Sequence, residues 1–224
     1  MKITKQMLID AKACEDQVEL FDKTFPDGAT WPDDMEKASR AGLDVQWAIY
    51  EFRLSGRYRE WHDNGQPKLD ATYERGALHG HCREWHANGE LRCDATYERG
   101  ARHGRYCAWY DNGELRCNET YERGERHGCC YAWYDSGQLR FDATYERGAP
   151  HGCFRRWYDN GQLWVDETFE RAAPHGRYRE WYDNGELRYD KMYKRAALHG
   201  RCRAWHDNGG LWRDEIWEKG WLVR

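Results

Sequence analysis

Residues 109–116 read "WYDNGELR", and the same phrase returns at Trp181. Variants begin at Trp61, Trp85, Trp133, Trp157 and Trp205, so seven copies stand 24 residues apart without one slip. Asn-Gly between two short aromatic and β-branched runs signals a hairpin, because both residues tolerate the positive φ of a type I′ turn. The unit starting at Gly56, "GRYREWHDNGQPKLDATYERGALH", has such runs on either side of Asn64-Gly65. Glycine and turn residues interrupt every unit at least three times, which excludes a helix. Each unit is therefore expected to be one β-hairpin, with a weaker turn where Ser136 replaces the Asn.

Register decides which side chains share a face. A two-residue loop at Asn64-Gly65 places Trp61 opposite Lys68. One face then carries Tyr58, Glu60, His62, Pro67, Leu69, Ala71 and Tyr73, and reads as core. The other carries Arg57, Arg59, Trp61, Lys68, Asp70 and Thr72, and reads as a solvated ladder of cation–π contacts and ion pairs. A three-residue loop with a bulge is the alternative, placing Trp61 opposite Pro67 and moving Trp to the Leu and Tyr side. The two-residue loop is preferred because it keeps Leu and Tyr together.

A lone hairpin is marginal in water. Seven side by side give the expected fold, a mainly β, elongated antiparallel meander advancing about 9.5 Å per repeat. One inserted residue would throw every Trp, Leu and Tyr out of line with its copy in the next hairpin.

Composition agrees with a thin, ring-rich structure. Of 224 residues 40% are hydrophobic, 33% charged and 15% aromatic, with 13 Trp and 15 Tyr in place of aliphatic core formers. No apolar run is long enough to span a membrane, and the opening "MKITKQMLIDAKACEDQ" lacks the pattern of a secretory signal, so a cytoplasmic location is expected. Residues 1–56 hold 7 basic and 11 acidic side chains, whereas 57–224 hold 28 of each. That balance argues against both nucleic acid and anionic lipid as partners. Nine cysteines show no Cys-x-x-Cys spacing, and Cys82, Cys130 and Cys202 fill the column that elsewhere holds Tyr58, Tyr106, Phe154 and Tyr178. They read as small hydrophobes, not as metal ligands.

The stretch "NGELRCDATYERGARHGRY" resembles the MORN repeat, and in particular the bacterial variant found in tandem in antitoxin-like proteins. The resemblance covers about residues 56–220 and rests on the Tyr-Glu-x-Gly-x-x-His-Gly junction and the Asn-Gly turn. It implies a β-hairpin array that binds proteins and, in some relatives, lipid; it does not imply an enzyme. Ala172 and Ala196 depart from the pattern where the junction Gly is expected, so those joints must avoid positive φ or carry strain.

The ends do not repeat. Residues 1–55 read as two short helices ending at Pro26-Asp27-Gly28, then a second pair broken at Gly42. They form a helical cap module before the repeat array of 56–224. Three tryptophans, Trp212, Trp217 and Trp221, crowd the last repeat, whose tail is expected to fold back as a cap. Dimerisation through that terminal sheet edge is the second reading.

No catalytic residue, metal site or cofactor is expected. The histidines of the His-Gly pairs, His79 to His199, come once per repeat, too far apart to share a metal, and each reads as a turn residue bonded to the next hairpin. Irregular columns say more. The Lys68 column is Arg in four copies but Trp164 and Trp212 in two, either stacked on Trp157 and Trp205 or exposed as anchors. The candidate partner-binding set is therefore Arg155, Trp157, Trp164, Arg179, Trp181, Arg188, Arg203, Trp205 and Trp212. The expected function is a non-enzymatic scaffold that sequesters a host or toxin protein, as an inhibitor, antitoxin or immunity factor in phage–bacterial conflict. A membrane-associated scaffold binding anionic lipid and an RNA or single-strand binder are the alternatives.

Overall fold

The computed structural model describes residues 1–223; Arg224, the last residue of the expected array, lies outside them. Packing divides the chain into two units, residues 1–104 and 105–224. The change from helix to hairpin near residue 55 falls inside the first unit.

That first unit opens with β1 (Lys2–Ile3), α1 (Lys5–Asp10), α2 (Glu15–Thr24), β2 (Ala29–Thr30), α3 (Met35–Arg40) and α4 (Val45–Glu51). The four helices lie where the sequence places them. Thr4 caps α1 through the Met7 amide, Asp44 caps α4 through the Trp47 amide, and Phe25 terminates α2. The short β1–β2 ladder, Lys2 opposite Thr30 and Ile3 opposite Ala29, carries too little pattern to be read from sequence. Four hairpin strands follow: β3 (Gly56–Trp61), β4 (Pro67–Glu74), β5 (Ala77–Trp85) and β6 (Leu91–Glu98). Helices and first hairpins share one core, in which Phe21, Phe25, Met35 and Ile49 meet Tyr58, Leu69, Ala71 and Cys82. The Trp31 indole N–H donates to the Ser55 carbonyl, and the Tyr58 hydroxyl donates to Ser39 Oγ at 3.4 Å. The helical segment thus covers the first hairpin, as a cap would.

Strand β7 (Ala101–Trp109) carries the chain into the second unit. There follow β8 (Leu115–Glu122), β9 (Glu125–Arg126), β10 (Gly128–Trp133), β11 (Leu139–Glu146), β12 (Ala149–Trp157), β13 (Leu163–Glu170) and β14 (Ala173–Pro174). The chain ends with β15 (Gly176–Trp181), β16 (Leu187–Lys194), β17 (Ala197–Leu198), β18 (Gly200–Trp205), β19 (Leu211–Glu218) and β20 (Trp221–Leu222). Within each unit the strands pair antiparallel in chain order, an antiparallel meander of hairpin repeats.

The tips correct the expected turn. The His62 N–H donates to the Gln66 carbonyl and the Gly65 N–H to the His62 carbonyl, both at 2.8 Å, so the loop has three residues. Only Gly65 takes positive φ there, at +82°. A second irregularity then pairs Glu60 with Leu69 but Trp61 with Pro67, leaving Lys68 as the extra residue. The two offsets cancel, so Tyr58 still faces Ala71 and the core face is the expected one. The type I′ geometry lies instead at the junctions, where Arg75 (+51°) and Gly76 (+82°) are both left-handed.

Side chains tie each tip to the next. Asn64 accepts from the Gln66 N–H and donates to the Ala87 carbonyl at 2.6 Å; Asn112, Asn160 and Asn184 reach Asp135, Asp183 and Asp207 in the same way. The hydroxyls of Tyr110, Tyr134, Tyr158 and Tyr182 donate to the carbonyls of Trp133, Trp157, Trp181 and Trp205 at 2.8–3.0 Å. Each bond spans 23 residues, which is what makes a 24-residue period strict. Ser136 makes neither of the Asn bonds. Edge-to-face ring pairs, Tyr106–Tyr121, Phe154–Phe169 and Tyr178–Tyr193, fill the core face of the second unit at centroid distances of 5.5–6.2 Å. The C-terminal tail folds back onto β19, Leu222 pairing with Trp217 and Trp221 with Glu218, but Trp221 remains 79% exposed.

Ala172 and Ala196 adopt φ of +65° and +64°, so those junctions carry strain instead of avoiding it. Ala172→Gly and Ala196→Gly should each raise stability by about 0.5–1 kcal/mol, the relief of a left-handed Ala less the added freedom of the unfolded Gly. A urea midpoint that rises for both variants checks this. Ser136→Asn should supply the two missing bonds and add about 1 kcal/mol, read as a higher thermal midpoint.

Candidate functional site

The predicted partner-binding residues fall into two groups. Arg155, Arg179 and Arg203 stand on the ion-pair side of their strands. Arg155 lies 3.3 Å from Asp166, and Arg179 reaches Asp166 at 2.7 Å. Asp190 receives Arg177 at 2.9 Å and Arg203 at 3.2 Å. An Asp is thus shared between the Arg of its own hairpin and the Arg of the next. The Arg179 and Arg203 guanidiniums sit 5.3 and 5.4 Å over the rings of Trp181 and Trp205, which keeps these indoles with the arginines. Trp157, Trp181 and Trp205 are half-buried and their carbonyls receive the tyrosine bonds described above.

Trp164, Arg188 and Trp212 lie elsewhere, on the side of Tyr and Leu. The bulge is the reason. Its extra residue turns toward the same side as its successor, so Lys68 meets Glu60 at 2.6 Å, Arg92 meets Glu84 at 3.3 Å, and Arg188 meets Glu180 at 2.9 Å. Trp164 therefore packs against Tyr158, centroid to centroid 5.5 Å, and Trp212 against His206 at 6.1 Å, not against Trp157 and Trp205 as the ladder register implied. Trp164 is half-buried and Trp212 is 50% exposed.

Around Trp164 the ring-bearing face opens into two adjoining hollows. One, of about 380 Å³, is walled by Tyr134, Arg140, Phe141, Tyr145, Arg156 and Trp164 among others. The next, of about 510 Å³, shares Tyr145, Arg156 and Trp164 with it and adds Phe154, Phe169 and Tyr178. Arg156 lies 4.9 Å over Phe154 and 5.8 Å over Trp164, while Arg140 lies 5.9 Å over Tyr134. Two of the acidic groups here are engaged: Glu119 accepts from the Tyr121 hydroxyl at 2.5 Å and from Arg126 at 2.8 Å, and Glu180 accepts from Tyr178 and Arg188. Burial pushes the Glu167 carboxyl above its ordinary value, while Arg156 pulls it back. The Arg156, Arg140 and Tyr158 contributions were missed from sequence. Reading the Glu60 column as Glu60, Glu84, Ala108, Ala132, Arg156, Glu180 and Ala204 would have flagged Arg156 as the one basic member.

Elsewhere the titratable groups behave as structure. Burial pushes the Cys82 thiol up to about 12 and raises Cys117, Cys130 and Cys202, so these sulfurs stay protonated and unreactive. Among the junction histidines, His175 Nδ1 accepts from the Arg195 N–H at 3.5 Å, the bond to the next hairpin foreseen for all of them. The Nδ1 atoms of His79, His103, His127 and His199 are enclosed without such a partner.

The sequence profile of the MORN repeat variant matches residues 54–75, 78–99, 102–123, 126–147, 150–171 and 174–195. This chain belongs to the MORN repeat family. The six MORN matches run from junction to junction, so that each takes in the bulge, the tip (Asn-Gly in five, Ser136-Gly137 in the fourth) and the left-handed Arg, and the β18–β19 hairpin adds a seventh copy in the structure. The search of curated proteins found no match to this chain. MORN repeats form non-catalytic scaffolds of the protein- or lipid-binding type, and the open face around Trp164 offers rings and cations together.

Arg177 and Arg203 hold the Asp190 carboxyl below its ordinary value of 3.8, Arg177 by hydrogen bonding first. Such a group stabilises the fold fully above its unfolded pKa, and the contribution is lost as pH falls through the depressed folded value. Asp190→Asn should therefore cost about 1–3 kcal/mol at pH 7 and progressively less below about pH 4. Urea unfolding of both proteins at pH 7 and pH 3 checks this; a gap that persists unchanged at pH 3 would contradict it.

Proposed function

We propose that the chain is a non-enzymatic scaffold that holds a protein partner against the ring-bearing face of its second unit, acting as an inhibitor, antitoxin or immunity-type protein that sequesters its target. The observation that supports this is the replacement of a cation by Trp164 at a bulge position, beside two hollows whose rings are held by the sheet. Aromatic and Arg side chains anchored in this way dominate the energetics of protein interfaces. The conflict setting rests on the likeness of the repeat to tandem bacterial copies. Neutral repeats favour a protein over a polyanion, and nine cysteines without disulfide-framework or Cys-x-x-Cys spacing favour a reducing cytoplasm.

The candidate face is thereby revised. The Arg155, Arg179 and Arg203 ladder spends its charges internally, on Asp166 and Asp190. Trp164 and Arg188 remain on the face that the proposal uses, and Trp212 extends it at the last hairpin.

Trp164→Ala combined with Trp212→Ala should reduce capture of the partner several-fold while the thermal midpoint moves by only a few degrees. Affinity capture from the native cell, quantified by mass spectrometry for wild type and variant, checks the first part and a melting curve the second. Equal capture by both proteins would overturn the reading.

A further inference from the structure

The hairpin pattern balances charge locally. Where the core-face column offers Glu60, Glu84 or Glu180, the bulge residue opposite is Lys68, Arg92 or Arg188, and the two form an ion pair. In the middle of the second unit that arrangement fails. Arg140 stands across from Ala132, and position 156 holds Arg instead of an acid. Across the sheet Arg156 faces Phe141 on β11 and Val165 on β13. Among the described residues neither Arg140 nor Arg156 has a carboxylate within ion-pairing distance. Both guanidiniums border the same hollow, and its one acid, Glu119, is already taken by Arg126 and Tyr121. Glu167, on the adjoining hollow, is felt by Arg156 only through its charge, and burial favours its neutral form.

We propose that Arg140 and Arg156 form a recognition site for carboxylates of an extended acidic segment in a protein partner, with Tyr134 and Trp164 receiving the apolar side chains beside those acids. The inference rests on the proposed scaffold function and names the chemistry of its partner. Arg140 and Arg156 come from neighbouring strands about 4.8 Å apart and are offset by one residue, since Phe141 faces Arg156, so their backbones lie about 6 Å apart, close to the roughly 6–7 Å between alternate side chains of an extended peptide. Two guanidiniums on adjacent strands therefore match carboxylates at alternate positions of a chain laid over the hollows. Charge-assisted bonds from a guanidinium to a carboxylate are roughly twice as strong as neutral ones.

The same chemistry attracts phosphate, but the surroundings favour the peptide. Residues 105–224 carry 20 basic and 20 acidic side chains, so this unit has no excess of charge to hold the backbone of a nucleic acid or a lipid surface.

Full-length protein titrated calorimetrically with a capped tetrapeptide of three glutamates and one phenylalanine tests this. The glutamate peptide should bind about tenfold more tightly than its glutamine counterpart, and binding should weaken in high salt. Arg140→Gln with Arg156→Gln should lose that preference with an unchanged circular dichroism melt, whereas Arg105→Gln, on the ion-pair side, should keep it. Equal affinity for the two peptides, no binding of either, or an unaffected double variant would overturn the inference. So would tighter binding of oligothymidylate or of vesicles containing phosphatidylserine. If the double variant still captures the partner that Trp164 is needed for, the scaffold function stands and acid recognition falls.

Discussion

A hydrogen bond from one hairpin tip to the backbone of the next, repeated along the second unit, is the constraint under which the rest of that unit is built. Tyr158 reaches the Trp181 carbonyl and Asn160 reaches the Asp183 carbonyl, each 23 residues on. These bonds are individually modest, about 1 kcal/mol each. Their effect is geometric. They fix how far one hairpin slides against the next, and so decide which rings meet on the core face and which Asp an Arg can share. With few aliphatic side chains, the protein relies on registered polar contacts where a thicker domain would rely on an oily interior.

Charge follows from that register. On one side the Arg and Asp columns interlock between hairpins, with Asp166 and Asp190 each serving two arginines. On the other side a second, shorter pairing joins the bulge residue to the core-face Glu. The first is used up in holding hairpins together. The second is broken at Arg116, across from Ala108, and again at Arg140 and Arg156, and the last two lie beside Trp164. Structure and candidate function are thus separated onto opposite sides of the same strands.

Much of this was legible in the sequence, because the period is short and repeated often enough to expose every column. The hairpin unit, the antiparallel meander, the helical segment and the core face of Tyr58, Leu69 and Ala71 all follow from spacing and alternation. The tip was misread for a specific reason. Asn-Gly is ambiguous between a two-residue turn and a three-residue loop, and a bulge at Lys68 restores the register that the longer loop displaces, so alternation along most of each strand looks the same either way. What the bulge does change is the side to which one residue points, and that residue is the Lys68 column. Trp164, Arg188 and Trp212 were assigned to the wrong face on that account alone. Arg156 was passed over because a single Arg among many attracts no notice until its column is read downward.

The bulge has a consequence for how such a chain can diversify. Its extra residue takes no part in the regular backbone ladder, so the hairpin tolerates lysine, arginine or tryptophan there with the same fold around it. Each copy therefore contains one site whose chemistry is free to drift, displayed at a fixed height on a rigid strip. A row of such sites is a small combinatorial alphabet, and new specificities can be spelled in it while the scaffold stays constant.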